Sequence, residues 1–181
     1  MISDLLKDAD AKMAQAAEHT AQDFSSVRTG RANAGILVRV VVDYYGTQTP
    51  LQQLASFSVP DARMLVVQPF DKSSIAAVER AIQEADLGLN PSNDGNVIRL
   101  SFPPLTEERR HDLIKVIRGY AEEGRISVRN TRRACKDDIE SEDVSEDHVH
   151  RAEKDLQVLT DNYISKIDEA VTRKEEELLE V

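Results

Sequence analysis

The sequence predicts an α+β protein, a long antiparallel three-helix bundle interrupted by a small inserted β/α/β domain. Three observations predict it. Toward both ends of the chain, apolar residues recur at alternating intervals of three and four, the seam of a helix that packs against other helices. Between those regions the pattern changes to β-branched residues punctuated by Gly and Pro, the grammar of short strands. Aromatic residues make up only 4% of the 181 residues and Trp is absent, which favours aliphatic helix packing over a large sandwich of sheets.

The first seam runs Ile2, Leu5, Ala9, Met13, Ala16, Thr20, Phe24 and Val27, with neither Gly nor Pro before Gly30. The insert spans 31–104. Its first half, "ILVRVVVDYYGTQTPLQQLASFSVPDARMLVVQP", reads as several short strands broken at Gly46, Pro50, Pro60 and Pro69. "DKSSIAAVERAIQEADLG" reads as a helix. Asp71 or Ser73 is its N-cap, Ile75, Val78 and Ile82 form its apolar face, and Gly88 lies past its end. The "NDG" at 93–95 marks a turn into the alternating strand "NVIRLSF". About 70 residues suffice for a modest core of its own.

The chain re-enters the bundle through Pro103 and Pro104, which cannot continue a helix. Thr106 then offers an N-cap, with Glu107 and Glu108 in the favourable first turn. The second seam is Leu113, Ile117, Tyr120, Gly124, Val128, Thr131 and Cys135. The third is Val149, Ala152, Leu156, Leu159, Tyr163, Ile167, Ala170, Lys174 and Leu178. Helices of about 30 residues would make a rod roughly 45 Å long. Gly119 and Gly124 are each poor helix residues. Gly124 lies on the seam, where it permits close helix approach, whereas Gly119 lies off it and receives no role.

Charge is uneven. The chain carries a net −10, yet residues 105–136 hold +4 and residues 137–181 hold −11. On a helical wheel with Arg118 at 0°, Arg125, Arg129, Arg132 and Lys136 fall within about 40° of it, and Lys115 and Arg133 flank them at about 60°. The seam residues Ile117, Gly124, Val128, Thr131 and Cys135 lie on another face, between roughly −80° and −140° by the same arithmetic. A basic stripe of more than four turns suits a nucleic-acid backbone, because Arg offers paired donors to phosphate. The acidic remainder confines such binding to one face. The plainer alternative is a solvated face neutralised by the acidic neighbours at 137–147. No sequence-reading DNA motif accompanies the stripe.

Other chemistry is poorly supported. His19, His111, His148 and His150 are scattered, and the i, i+2 spacing of the last pair is wrong for a shared helical ligand site. Cys135, the single cysteine, falls on an apolar seam and reads as a buried thiol. No phosphate-binding loop of the G-x-x-x-x-G-K type is present. The N-terminus lacks the apolar run of a signal peptide, and no stretch approaches the ~20 apolar residues of a membrane span. The expectation is a soluble cytoplasmic protein that is not an enzyme and needs neither metal nor cofactor. A helical scaffold binding other proteins would need an apolar stripe left over after the bundle closes, and each helix has one main seam.

Six segments now matter together: "VRTGRA" (27–32), "VDYYGTQTPL" (42–51), "DLGLNPSNDGNVIRL" (86–100), "PPLTEERR" (103–110), "SVRNTRR" (127–133) and the terminal "KEEELLEV" (174–181). In this order and spacing, they make the chain resemble the bacterial ribosome recycling factor family from end to end. The resemblance implies an L-shaped, two-domain molecule of roughly transfer-RNA size, with the bundle formed by 1–30 and 105–181. It implies a monomer that binds the large ribosomal subunit. With elongation factor G and GTP, such a factor splits post-termination ribosomes and releases messenger and deacylated transfer RNA. It assigns ribosomal-RNA contacts to Arg129, Arg132 and Arg133, with Arg28 and Arg31 as neighbours, to which the stripe adds Arg118, Arg125 and Lys136. It maps hinges to Thr29, Gly30 and Arg31 and to Pro103, Pro104 and Leu105. One departure is visible: the acidic linker at 137–147 is shorter than the family's by about a turn.

Overall fold

The computed structural model describes residues 1–180. They divide into two compact units. The first comprises Met1–Phe24 and Ile114–Glu176, and the second comprises Ser25–Leu113 and Glu177–Val181. Both junctions read from the sequence, 29–31 and 103–105, lie inside the second unit. No described helix is long and apolar enough to cross a membrane.

The first unit is built from α1 (Ile2–Ser25), most of α3 (Glu107–Glu140) and most of α4 (Glu146–Leu179). Cross-helix contacts fix their directions. The Cys135 thiol lies 3.6 Å from the Leu5 carbonyl, and Tyr163 Oη donates to Asp10 Oδ1 at 2.6 Å. With Arg118 bonded to Glu175, α3 runs antiparallel to both of the other helices. Buried along the predicted seams are Ala9, Met13, Phe24, Ile117, Val128, Cys135, Ala152, Leu156 and Ile167. Ala121 and Ile139, outside the predicted seam, are fully buried as well. Two buried threonines turn their hydroxyls back onto their own helices. Thr20 donates to Ala16 O at 2.9 Å and Thr160 to Leu156 O at 2.7 Å, so neither leaves an unpaired group in the core.

Gly124 is where the seam requires glycine. A Cβ there would sit 2.2 Å from Thr20 Oγ1, so α1 and α3 approach too closely for any side chain. A Cβ at Gly119 would meet nothing within 4 Å. The N-cap of α3 is as expected, since Thr106 Oγ1 accepts the Arg109 N–H at 3.2 Å. Its C-terminus is not. The acidic stretch expected to be linker from residue 137 stays helical to Glu140, and only 141–145 connect α3 to α4. Ile139, fully buried, draws that last turn onto the bundle. Just before α4, the Ser145 hydroxyl pairs with the side-chain His148 Nδ1 at 2.8 Å, while the Ser145 carbonyl accepts the His148 N–H at 2.9 Å.

The second unit holds a hairpin, β1 (Val41–Tyr44) with β2 (Thr47–Pro50), and an antiparallel sheet. The sheet order is β3 (Ala55–Asp61), β4 (Met64–Pro69), β6 (Ile98–Ser101) and β5 (Pro91–Asn93). Helix α2 (Ile75–Glu84) buries Val78 and Ile82 in a core with Leu37, Val42, Leu51, Leu65, Val67, Ile98, Leu100 and Phe102. Asp71 caps the preceding short 3₁₀ turn by accepting the Ser73 N–H at 2.9 Å, and α2 follows directly. Strand structure begins later than the "ILVRVVV" run suggested, because Ala34–Leu37 forms a 3₁₀ turn. Asn33 starts that turn by accepting the Gly35 N–H at 2.9 Å, a local bond that competes with strand pairing.

The β1–β2 turn consists of Tyr45 (φ 49°) and Gly46 (φ 82°) between the paired Tyr44 and Thr47. Both central residues are left-handed, the geometry that suits a tight two-residue hairpin. Pro60 lies within β3 where the register shifts between Ser58 and Asp61, a break that spares the ladder a missing donor.

Candidate nucleic-acid interface

The basic stripe of α3 forms, and most of it is already engaged. Arg118 Nε donates to Glu175 Oε1 at 2.7 Å. Arg125 donates to Asp168 Oδ1 from Nε (2.8 Å) and Nη2 (2.6 Å), and its Nη1 reaches Glu122 at 3.2 Å. Arg129 Nη1 takes the other oxygen of Glu122 at 3.2 Å. Lys136 lies 3.3 Å from Glu153 and 3.4 Å from Glu140. Arg132 Nε donates to the neutral Gln157 at 2.8 Å. Among the described residues, neither Arg132 nor Arg133 has a salt bridge, and Arg133 is exposed.

Neutralisation of the stripe is therefore real, but it differs from the sequence-based alternative. The acids come mainly from α4 and from Glu122, with Glu140 the only contributor from 137–147 among the described residues. Sequence reasoning missed these partners, although two signals were present. Glu122 falls at about +40° on the same wheel, inside the stripe. Asp161, Asp168 and Glu175 recur every seven residues along α4, the spacing of one helix face.

The electrostatics follow the geometry. The hydrogen bond and charge of Glu175 raise Arg118 above the ordinary arginine range. Burial works against the charge on Arg125, but Asp168 and then Glu122 outweigh it, so its net shift is upward. Hydrogen bonds that Lys136 donates to Glu153 and Glu140 raise its pKa. Burial raises Cys135, helped by Asp138 and Asp8, so this thiol is poorly suited to act as a nucleophile. No group of three or more His, Cys, Asp or Glu among the described residues is placed to hold a metal.

Arg28 and Arg31 belong to the second unit. Arg28 is half-buried, donates from Nη2 to the Pro103 carbonyl, and lies 5.9 Å from the centre of the Phe102 ring. Burial lowers its pKa, and the charge of Arg109 lowers it further. Arg28 thus joins the two junctions read from the sequence. Arg31 pairs with Glu180 at 3.1 Å and stays mostly exposed. Thr29 is buried, and its hydroxyl bonds locally to Arg31, accepting from N and donating to O at 3.3 Å each. Gly30 needs no glycine for its fold: a Cβ would meet nothing within 4 Å, and its φ lies outside the left-handed region. Pro103 and Pro104 are exposed and Leu105 is buried.

Comparison with known proteins bears on the whole chain. The family model of the ribosome recycling factor matches residues 20–179. The chain is 52% identical to the ribosome-recycling factor of Cutibacterium acnes over 99% of its own length and all of that protein. It is 51% identical to the factor of Halalkalibacterium halodurans over the full length of both. A solution structure of a ribosome recycling factor covers 99% of the chain at 41% identity with a TM-score of 0.80. A chain from models of the T. thermophilus ribosome recycling factor and the E. coli elongation factor G bound to the E. coli post-termination complex covers 99% of this chain, over all of its own length, at 42% identity and a TM-score of 0.71. With helices, sheet and arginine segment all falling inside these matches, the chain belongs to the ribosome recycling factor family.

Proposed function

We propose that this protein recycles ribosomes after termination. Together with elongation factor G and GTP it splits the post-termination ribosome into subunits, freeing messenger and deacylated transfer RNA. The observation that carries this reading is the match at about half identity, over both units, to proteins named for that activity. The relative bound beside elongation factor G supports the choice of partner.

In this reading the protein makes and breaks no covalent bond. It acts in the cytoplasm as a monomer, without a cofactor of its own. Residues 1–30 and 105–181 work as the bundle domain, docked on large-subunit RNA through Arg129, Arg132 and Arg133. Arg118, Arg125 and Lys136 hold the flanks of the face, where phosphate must compete with their carboxylate partners. Residues 31–104 work as a moving domain, hinged at 29–31 and 103–105. Arg28 ties those junctions together at Pro103, and Arg31 is the last residue of the first. The translocase's push on this domain is transmitted to a contact between subunits.

The test is light scattering of post-termination ribosomes with this protein, elongation factor G and GTP, each omitted in turn. Splitting that requires all three is expected. Splitting by elongation factor G and GTP at the same rate without the protein would overturn the reading. Arg132→Ala should fold normally, since its one hydrogen bond is exposed, yet lose about tenfold in ribosome affinity, the range for a lost charge-assisted contact. It should also lower the slope of log affinity against log salt by about one. Unchanged affinity at moderate salt would remove the RNA role of this face.

A further inference from the structure

The pairing of α3 with α4 follows a register with one exception. Arg118 meets Glu175 and Arg125 meets Asp168, so a step of seven on α3 is matched by a step of seven on α4. One more step sets Arg132 against Asp161. That pair does not form. Gln157 stands between them: its Oε1 accepts from Arg132 Nε at 2.8 Å, and its Nε2 donates to Asp161 Oδ1 at 2.8 Å. The two bonds demand opposite ends of the amide, which fixes its orientation.

The consequence is electrostatic. Arg118, Arg125 and Lys136 each face a carboxylate on α4, whereas Arg132 faces a neutral acceptor. Its two terminal nitrogens have no hydrogen-bond partner among the described residues. In the same turn Arg133 has no ion-pair partner among the described residues, and Arg129 shares Glu122 with Arg125. The least neutralised part of the stripe is therefore centred where Gln157 replaces an acid. A guanidinium held through Nε presents its Nη pair as a fork suited to a phosphate.

We propose that Gln157 is a positioning residue for RNA binding: it occupies Asp161 and holds Arg132 by Nε alone, leaving the terminal nitrogens for a backbone phosphate. This rests on the RNA-face reading above. A carboxylate at 157 would chelate Arg132. Removing the amide would let Asp161 do the same.

The experiment measures binding of the full-length protein to purified large ribosomal subunits across a salt series, with circular dichroism confirming the fold of each variant. Gln157→Glu should weaken binding about as much as Arg132→Ala, by tenfold or more. Gln157→Ala should also weaken it, by several-fold. Adding Asp161→Asn to Gln157→Ala should restore most of the loss, because the competing charge is gone. A merely structural role for Gln157 would not produce that rescue. Wild-type affinity for Gln157→Ala, with Arg132→Ala weakened, would overturn the positioning role and leave the RNA face standing. Wild-type affinity for Arg132→Ala would instead remove the face itself. Weakening by Gln157→Ala without rescue by Asp161→Asn would overturn the competition on which the proposal depends.

Discussion

Asp94 illustrates how much a single exposed side chain can be conditioned by its loop. Its Oδ1 accepts the N–H groups of Asn96 and Val97, each at 2.9 Å, and its Oδ2 accepts from Arg99 at 2.6 Å. Those bonds to Val97 and Asn96, followed by Arg99, lower its pKa from 3.8 to about 2. Because the folded value is depressed, the contribution to stability is present above pH 3.8 and disappears as pH falls through about 2. An NMR titration of the side-chain carboxyl should show a midpoint near 2, and one near 3.8 would mean that the loop bonds do not persist in solution. The "NDG" signal announced a turn. The two backbone bonds to one carboxylate follow from how the turn folds, since Asp places its oxygens within reach of the N–H groups two and three residues on.

At the scale of the element, α3 contains two glycines that sequence reasoning could only partly separate. Gly124→Ala would gain helix propensity of up to ~1 kcal/mol. It would also drive a Cβ to 2.2 Å from Thr20 Oγ1, and that hydroxyl belongs to a stiff β-branched side chain already bonded to Ala16. Overpacking of this kind costs about 1–3 kcal/mol, so the net change should be destabilising. Gly119→Ala meets no such obstacle and should stabilise by about 0.5–1 kcal/mol. Thermal or denaturant melts of the two variants should shift in opposite directions. A stabilised Gly124→Ala would refute the close contact of α1 with α3. The seam position of Gly124 was legible as a phase on the wheel; the absence of any neighbour around Gly119 was not, because it depends on what the opposing helices leave uncovered.

For the whole molecule, the family match places both units in one working protein, and the proposed hinge gives them a division of labour. Gly30 is the natural point at which to test it. Alanine fits the folded backbone there without a clash, so Gly30→Ala removes conformational freedom and little else. The difference in backbone freedom is about 0.5–1 kcal/mol, or two- to fivefold in a rate limited by that motion. Ribosome splitting should slow by that factor while ribosome binding stays near wild type. Equal losses in both assays would argue against movement at 29–31 as the working step.

The sequence by itself determined the α+β class, the three helical seams, the cap at Thr106, and the turns at Gly46 and "NDG", and it narrowed the start of the α2 region to Asp71 or Ser73. These depend on interactions between residues a few positions apart, so periodicity and local hydrogen-bonding chemistry suffice to specify them. It also determined that Arg118, Arg125, Arg129, Arg132 and Lys136 share one face of α3, which is a matter of helical phase. Apart from Arg129, whose partner Glu122 lies on α3 itself, tertiary structure decided which of those charges remain available. Their partners Glu175, Asp168, Gln157 and Glu153 lie on another helix, brought opposite by the packing register of α3 against α4. A shift of one turn would reassign every pair between α3 and α4, and the phase of a single helix carries no information about that shift.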